Sequence, residues 1–243
     1  MDSKYVERIP HDPGCGGGGL QVFLDPDGKY RGYCFSCKTR VLDPYGDKPE
    51  GWTPPKPKLK LSPEERAERI ADIGEWGCHD LPTRGLKKEY LDHFGIKVGV
   101  SAEDGITPTV SALPIRRDGK LVSYKMRSLE EKKMWGLGDA ADAEPFGWQE
   151  ALASGAPRLI ITEGEYDAVA VVQSRKENEK NPAYAQFWPA VISLSDGAGG
   201  AKKQLANYAD RIRAKFKDVV LAYDMDEPGR DAVQESLRFL PDA

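Results

Sequence analysis

The sequence predicts an α/β protein built from a small cysteine-bearing module, a proline-rich linker, a mixed α+β segment and a parallel sheet. Three observations predict it. From residue 157 onward, short apolar runs alternate with helical stretches three times: "RLIIT" before "EGEYDAVAVVQSRK", "AVISL" before "SDGAGGAKKQLANYADRIRAKF", and "DVVLAYD" before "MDEPGRDAVQESLRFL". That rhythm implies parallel strands buried on both faces. Residues 41–60, "VLDPYGDKPEGWTPPKPKLK", carry five prolines and no apolar period, as extended linkers do. Ahead of them, a histidine and three of the four cysteines fall within 27 residues.

Composition narrows the functional classes. Of 243 residues, 40% are hydrophobic, enough for packed cores, and the formal net charge is −4. Such a chain does not hold nucleic acid by bulk positive potential, so binding has to come from local patches. No run approaches the roughly 20 apolar residues of a membrane span, and "MDSKYVERIP" lacks the apolar centre of a signal peptide. A cytoplasmic protein is expected, with no membrane partner. Four cysteines in a chain of this length suit metal binding or free thiols better than a disulfide framework.

The first module, residues 1–40, contains His11, Cys15, Cys34 and Cys37. Cys34 and Cys37 have the two-residue gap that lets both thiolates reach one ion, and the other pair supplies an imidazole and a third thiolate. Four such ligands close a structural zinc site. The stretch "LQVFLDPDGKYRGY" between the pairs alternates and turns at Pro26, Asp27 and Gly28, which predicts the hairpin of a zinc ribbon. A module of about 40 residues has too little core to fold without such a staple. Cys78 and His79 read as packing residues. For residues 41–60 the alternative to a linker is an ordered loop wrapped on one domain.

In the segment 61–150, Ser62, Pro63 and two following glutamates start a helix over 63–74. "LKKEYLDHFGI" predicts a shorter one that stops at Gly95. "TPTVSALPIRRDGKLVSYKMRSL" is a hairpin turning at Asp118 and Gly119, the strongest short-range signal of one. It carries the basic residues Lys125, Arg127 and Lys132. In the last segment, 151–243, Glu163 ends one strand run and Asp224 another, with Asp226 two residues on. Neighbouring parallel strands would bring these carboxylates to one edge, where they repel unless a hard divalent cation, Mg²⁺ or Mn²⁺, neutralises them. Glu165 and Asp167 could add outer contacts. Any one such acid is as readily a cap of the helix that follows it.

"IITEGEYDAV" and "VVLAYDMDEPGRDA" resemble the two signature motifs of the TOPRIM fold, shared by primases, topoisomerases, nucleases and recombination proteins. A zinc ribbon, a linker, "LPTRGLKKEYLDHFGI" with its Arg84 and Gly85, "SYKMR", TOPRIM and "SLSDGAGGAKK" follow one another as in the primase part of phage primase-helicases. The resemblance spans nearly the whole chain. It implies short RNA primer synthesis on single-stranded DNA by a nucleotidyltransferase, with Glu163, Asp224 and Asp226 as catalytic and magnesium-binding groups. Lys125, Arg127, Lys132, Lys202 and Lys203 would meet triphosphate or template phosphates. Tyr30, Arg31 and Tyr33, with Phe35 beside them, would read the template. The implied partners are single-stranded DNA, ribonucleoside triphosphates, a replicative helicase and a DNA polymerase. Two departures stand out: the family's first zinc pair is commonly two cysteines two residues apart, and its TOPRIM fold continues beyond "LRFLPDA" with a further strand. A shortened TOPRIM domain without a helicase motor is therefore expected. The rival readings are a TOPRIM nuclease and a non-catalytic DNA-binding replisome module.

Overall fold

The structure is a computed structural model, and it describes residues 3–11, 19–47, 51–57, 61–194 and 197–243. The chain divides into two compact units, Met1–Pro63 and Glu64–Ala243.

The first unit is a four-stranded antiparallel sheet in the order β1 (Lys4–Ile9), β2 (Leu20–Leu24), β3 (Tyr30–Tyr33), β4 (Arg40–Val41). The β2–β3 hairpin pairs Leu24 with Tyr30 around a turn closed by the Gly28 amide donating to the Asp25 carbonyl at 3.0 Å. Among the described residues its main apolar cluster is Val6, Val22 and Tyr45, with Ile9, Leu24 and Tyr30 packed around them, and Leu20 and Cys34 are buried as well. Tyr45 and Val41 lie inside the stretch expected to be linker, and here the structure differs from that expectation. Val41 pairs with Gly32, and the Tyr45 ring meets Tyr30 edge-on at 5.4 Å and Trp52 at 4.9 Å. The Tyr45 hydroxyl donates to Glu7 at 2.9 Å. Val41, Tyr45 and Trp52 thus pack with the first unit, closer to the ordered loop that was the alternative. Residues 48–50 and 58–60 of that stretch lie outside the described residues.

In the second unit, α1 (Pro63–Gly74) packs Ile73 on one face of a four-stranded antiparallel sheet, β5 (Lys97–Val100), β6 (Pro108–Arg117), β7 (Lys120–Ser128), β8 (Met134–Gly136). Tyr124 and Met126 point to that face, and Ser123, Lys125 and Arg127 take the opposite one by the two-residue alternation of a strand. The β6–β7 turn places Asp118 and Gly119 at φ of 49° and 76°, a conformation that favours glycine. The buried Glu144 pins this turn by accepting from the Gly119 amide at 3.0 Å, and Gln149 holds Glu144 in turn.

The remaining sheet is parallel, in the order β10 (Ala190–Ser193), β9 (Arg158–Thr162), β11 (Asp218–Ala222). It is a mixed α/β arrangement, as the sequence rhythm predicts. Leu159 and Ile161 face a core with α3 (Trp148–Ala153) and α6 (Gly197–Lys215), through Trp148, Leu205 and Ile212. Ile160 faces the other way, into a core with α4 (Glu165–Glu177) and α2 (Lys88–His93). That second core also takes Leu113 of β6 and Val98 of β5. The segments 61–150 and 151–243 therefore share a hydrophobic core, with no break in packing at residue 150. Helix α7 (Glu227–Leu237) follows β11. Cys78 is buried in the shared core, as a packing residue would be. Among the described residues no helix is long and apolar enough to cross a membrane.

His93, at the end of α2, stacks on Trp188 with ring centroids 4.0 Å apart. Burial, with a smaller push from the Lys176 charge, lowers its pKa to about 4. The folded state therefore keeps His93 neutral at pH values where the unfolded chain, near 6.5, is protonated. Stability of the second unit should fall as pH drops from 6.5 through about 4. Denaturant titrations of the parent and His93→Gln across that window should show a shallower decline in the variant.

Candidate functional site

The parallel register sets Thr162 level with Ala222 on adjoining strands, so the residues just past the two strand ends come together. The Asp224 amide points at the Glu163 carboxylate, N to Oε2 3.4 Å. Asp167, in the first turn of α4, belongs to the same edge. Its carboxyl sits over the backbone of Gly164, where an added Cβ would stand 2.5 Å from Oδ2. Desolvation raises its pKa first and the Asp224 charge second, although solvent still reaches the residue. Carboxylate oxygens are the donors that a hard divalent cation takes, but among the described residues no three of these acids bring ligand atoms within 4.8 Å of one another.

Asp226 is placed differently. It is the N-cap of α7, and its Oδ1 accepts from the Gly229 amide at 2.9 Å. Gly229 permits this close turn, because a Cβ there would lie 2.1 Å from the Asp224 carbonyl oxygen. The three predicted carboxylates thus do not converge with all their oxygens on one point. Glu163 and Asp224 adjoin, while Asp226 has one oxygen engaged in capping.

The opposing wall is the β6–β7 hairpin. Lys125 Nζ lies 2.7 Å from Glu165 Oε1, with both side chains largely shielded. The Arg127 guanidinium lies over the ring of Tyr166, 4.9 Å from its centroid. Sequence reasoning did not single out Tyr166, because an aromatic at that position of a helix reads as core. It also missed Glu165 as the partner of Lys125, which only the docking of hairpin on helix reveals. Lys132 lies in the turn before β8, exposed. Lys202 and Lys203 are exposed on α6, and Lys203 faces Asp142 at 3.8 Å. Ser195 and Asp196 of the glycine-rich stretch lie outside the described residues.

In the first unit, His11, Cys34 and Cys37 bring their ligand atoms within 4.8 Å of one another, so three of the four expected ligands form a group that could hold a metal ion. Cys15 lies outside the described residues. The His11 ring nitrogen is 3.3 Å from Cys37 Sγ. The Cys37 thiol is lowered to about 6, chiefly by the Thr39 hydroxyl, then by the Thr39 backbone and His11. Two thiols and an imidazole are the soft and borderline donors that zinc takes. Of the residues expected to read a template, Arg31 is held by Asp25 and by Asp27 at 2.6 Å, and Tyr30 serves the core against Tyr45. Tyr33 stands edge-on to the exposed Phe35 at 4.7 Å.

A family model described as Toprim-like matches residues 160–243, the span that holds Glu163, Asp224 and Asp226. Over the whole chain the likeness is to the primase part of a phage primase-helicase. A DNA helicase/primase of Enterobacteria phage T3 is 29% identical over 253 residues, covering 99% of this chain and 38% of the relative. The chain thus spans well under half the length of that relative. The crystal structure of the primase fragment of the bacteriophage T7 primase-helicase matches with a TM-score of 0.54 and 26% identity. That match covers 97% of this chain and 86% of the fragment. The Toprim-like span begins inside β9, and the segment with the basic hairpin precedes it.

Capping and crowding separate the two aspartates experimentally. Asp226→Ala removes the cap of α7 and should cost the second unit about 1 kcal/mol, whereas Asp226→Asn, a good cap, should cost only a few tenths. Asp224→Asn relieves repulsion and should leave the melting temperature unchanged or higher. Thermal melts of the three variants beside the parent give the comparison.

Proposed function

We propose that this chain is a DNA primase that joins ribonucleotides into short primers on single-stranded DNA during phage DNA replication. The observation that carries the reading is the adjacency of Glu163 and Asp224 past the ends of neighbouring parallel strands. They stand in a Toprim-like sheet, within a chain that resembles a solved primase fragment over nearly its full length.

In the reaction a 3′-hydroxyl oxygen bonds to the α-phosphorus of the next triphosphate, the bond to the β-phosphate oxygen breaks, and pyrophosphate leaves with its electrons. A divalent cation, Mg²⁺ or Mn²⁺, held by Glu163 and Asp224, supplies charge neutralisation at the reacting phosphates. Asp226 can offer the oxygen that does not cap α7. Glu163 is also positioned to accept the hydroxyl proton, since the Asp224 amide engages only one of its oxygens. Lys125 is steadied by Glu165 and keeps N–H groups for the triphosphate, while Arg127 projects from the same strand face. Lys132, Lys202 and Lys203 are solvent-facing cations suited to the template backbone. Zinc bound by His11, Cys34 and Cys37, with Cys15 as fourth ligand, supports the first unit. Tyr33 and Phe35 form its exposed aromatic edge for stacking template bases. A replicative helicase and a DNA polymerase are the partners this role implies.

Incubation with ribonucleotides, single-stranded template and Mg²⁺ tests the reading. Short RNA products support it, shortened DNA would mean a nuclease, and template binding without any product would mean a non-catalytic module. Asp224→Asn should abolish primer synthesis and leave template binding within about twofold, measured by product gels and oligonucleotide anisotropy. Lys125→Ala should raise the triphosphate concentration needed for half-maximal synthesis roughly ten- to a hundredfold, since a charge-assisted hydrogen bond is worth about 1.5–3 kcal/mol. Elemental analysis should find about one zinc per chain, reduced by His11→Ala or Cys37→Ser. Chelation should unfold the first unit and spare Glu64–Ala243.

A further inference from the structure

Two arginines from separate elements share one aromatic ring. Arg84 ends the single helical turn Pro82–Arg84 and Arg127 lies on β7, yet their guanidinium carbons stand 4.6 Å and 4.9 Å from the centroid of Tyr166. Among the described residues neither guanidinium has a carboxylate partner within 4.0 Å. Tyr166 itself is buried, and its hydroxyl is hydrogen-bonded to Ser111. Ser111 is the cross-strand neighbour of Arg127 on the hairpin.

The turn that carries Arg84 is fastened to the same helix as the ring. Gln173 of α4 donates to the Gly85 carbonyl at 2.9 Å and accepts from the Lys87 amide at 2.9 Å. Helix α4 thus fixes both the aromatic face and the backbone of the arginine turn. Two like charges at one site repel, and the electron-rich faces of a desolvated tyrosine offset part of that repulsion. The pair borders the acidic edge: Asp167, one residue beyond Tyr166, has its carboxyl raised by desolvation first and then by the Asp224 charge, and lowered by the smaller effect of Arg127. Two guanidiniums without acidic partners, next to carboxylates that would hold a divalent cation, suit a phosphate group.

We infer that Tyr166 is a positioning residue that holds Arg84 and Arg127 as a phosphate-binding pair beside Glu163 and Asp224. The inference deepens the primase reading and rests on it for the source of the phosphate, a nucleoside triphosphate or the backbone of single-stranded DNA.

The test is equilibrium binding to the full chain in Mg²⁺, which requires no turnover. A fluorescent ribonucleoside triphosphate is titrated in one arm and a labelled single-stranded oligonucleotide in the other. Arg84→Gln and Arg127→Gln should each weaken binding about tenfold in at least one arm, and the arm affected identifies the source. Tyr166→Leu should weaken the same arm to a similar degree, and Tyr166→Phe, which keeps the ring, should restore affinity to within twofold. Combining Tyr166→Leu with Arg84→Gln should give no further loss beyond the larger single effect. Unchanged binding in both arms for either arginine variant would overturn the pair, and fully additive losses would overturn the positioning role. If Tyr166→Leu does not fold, the positioning role is decided by Tyr166→Phe and Tyr166→Trp, with affinity expected to be kept by the first and lost with a misplaced ring in the second. A chain that makes no primers but loses phosphate binding in Arg84→Gln keeps this inference while the primase reading fails. Primer synthesis with intact binding in that variant sinks this inference alone.

Discussion

The parallel pairing of β9 with β11 brings the backbone of Asp224 to the Glu163 carboxylate. The register that puts Thr162 opposite Ala222 is set by burial: Leu159 and Ile161 must enter one core and Ile160 the other. A slip of one residue would turn the apolar side chains of β9 to the wrong faces. Sheet hydrophobicity therefore fixes where the residues past both strand ends stand. At that edge the Asp167 carboxyl is raised by desolvation first and by the Asp224 charge second. A divalent cation held there would favour the charged carboxylate against both effects.

The cationic wall is built by the same economy. Hairpin face and helix start meet through Leu113, Ser111 and Tyr166, all buried, and the alternation of β7 then delivers Lys125 and Arg127 to that side. Glu144 fixes the other end by holding the Gly119 amide at the turn. Basic side chains that would wander on an isolated hairpin are confined at two points by buried polar contacts. The Lys125–Glu165 pair contributes position more than stability, since a partly shielded ion pair gains little net free energy.

Much of this was legible in the residues because each signal was local. The Asp118–Gly119 turn, the helix start at Ser62–Pro63 and the threefold strand-helix rhythm need no knowledge of distant contacts. Glu163 and Asp224 were legible because strand ends in parallel sheets are predictable meeting points. What stayed hidden depended on packing between remote segments. Tyr45 joins the first unit's small core only because Tyr30 and Glu7 lie across from it. Arg31 carries a charge that suits phosphate, but Asp25 and Asp27 in the adjoining turn claim it first. Asp226 shows a limit of another kind: in sequence, a metal ligand and a helix cap are the same letter, and the Gly229 amide distinguishes them only once the helix is built.

The two units differ in what their cores can support. The second buries two faces of a sheet and a hairpin face, with Trp148, Phe94, Leu91 and Ile212 fully enclosed. Among the described residues the first encloses only a few side chains, Val6, Leu20, Val22, Cys34 and Tyr45, and Cys34 is also one of the group His11, Cys34 and Cys37. An apolar cluster of that size does not offset the ordering of some 50 residues at roughly 1–2 kcal/mol of backbone entropy each. A metal held by His11, Cys34 and Cys37 would answer that deficit, and the packing of Tyr45 against Tyr30 and Trp52 answers part of it without one.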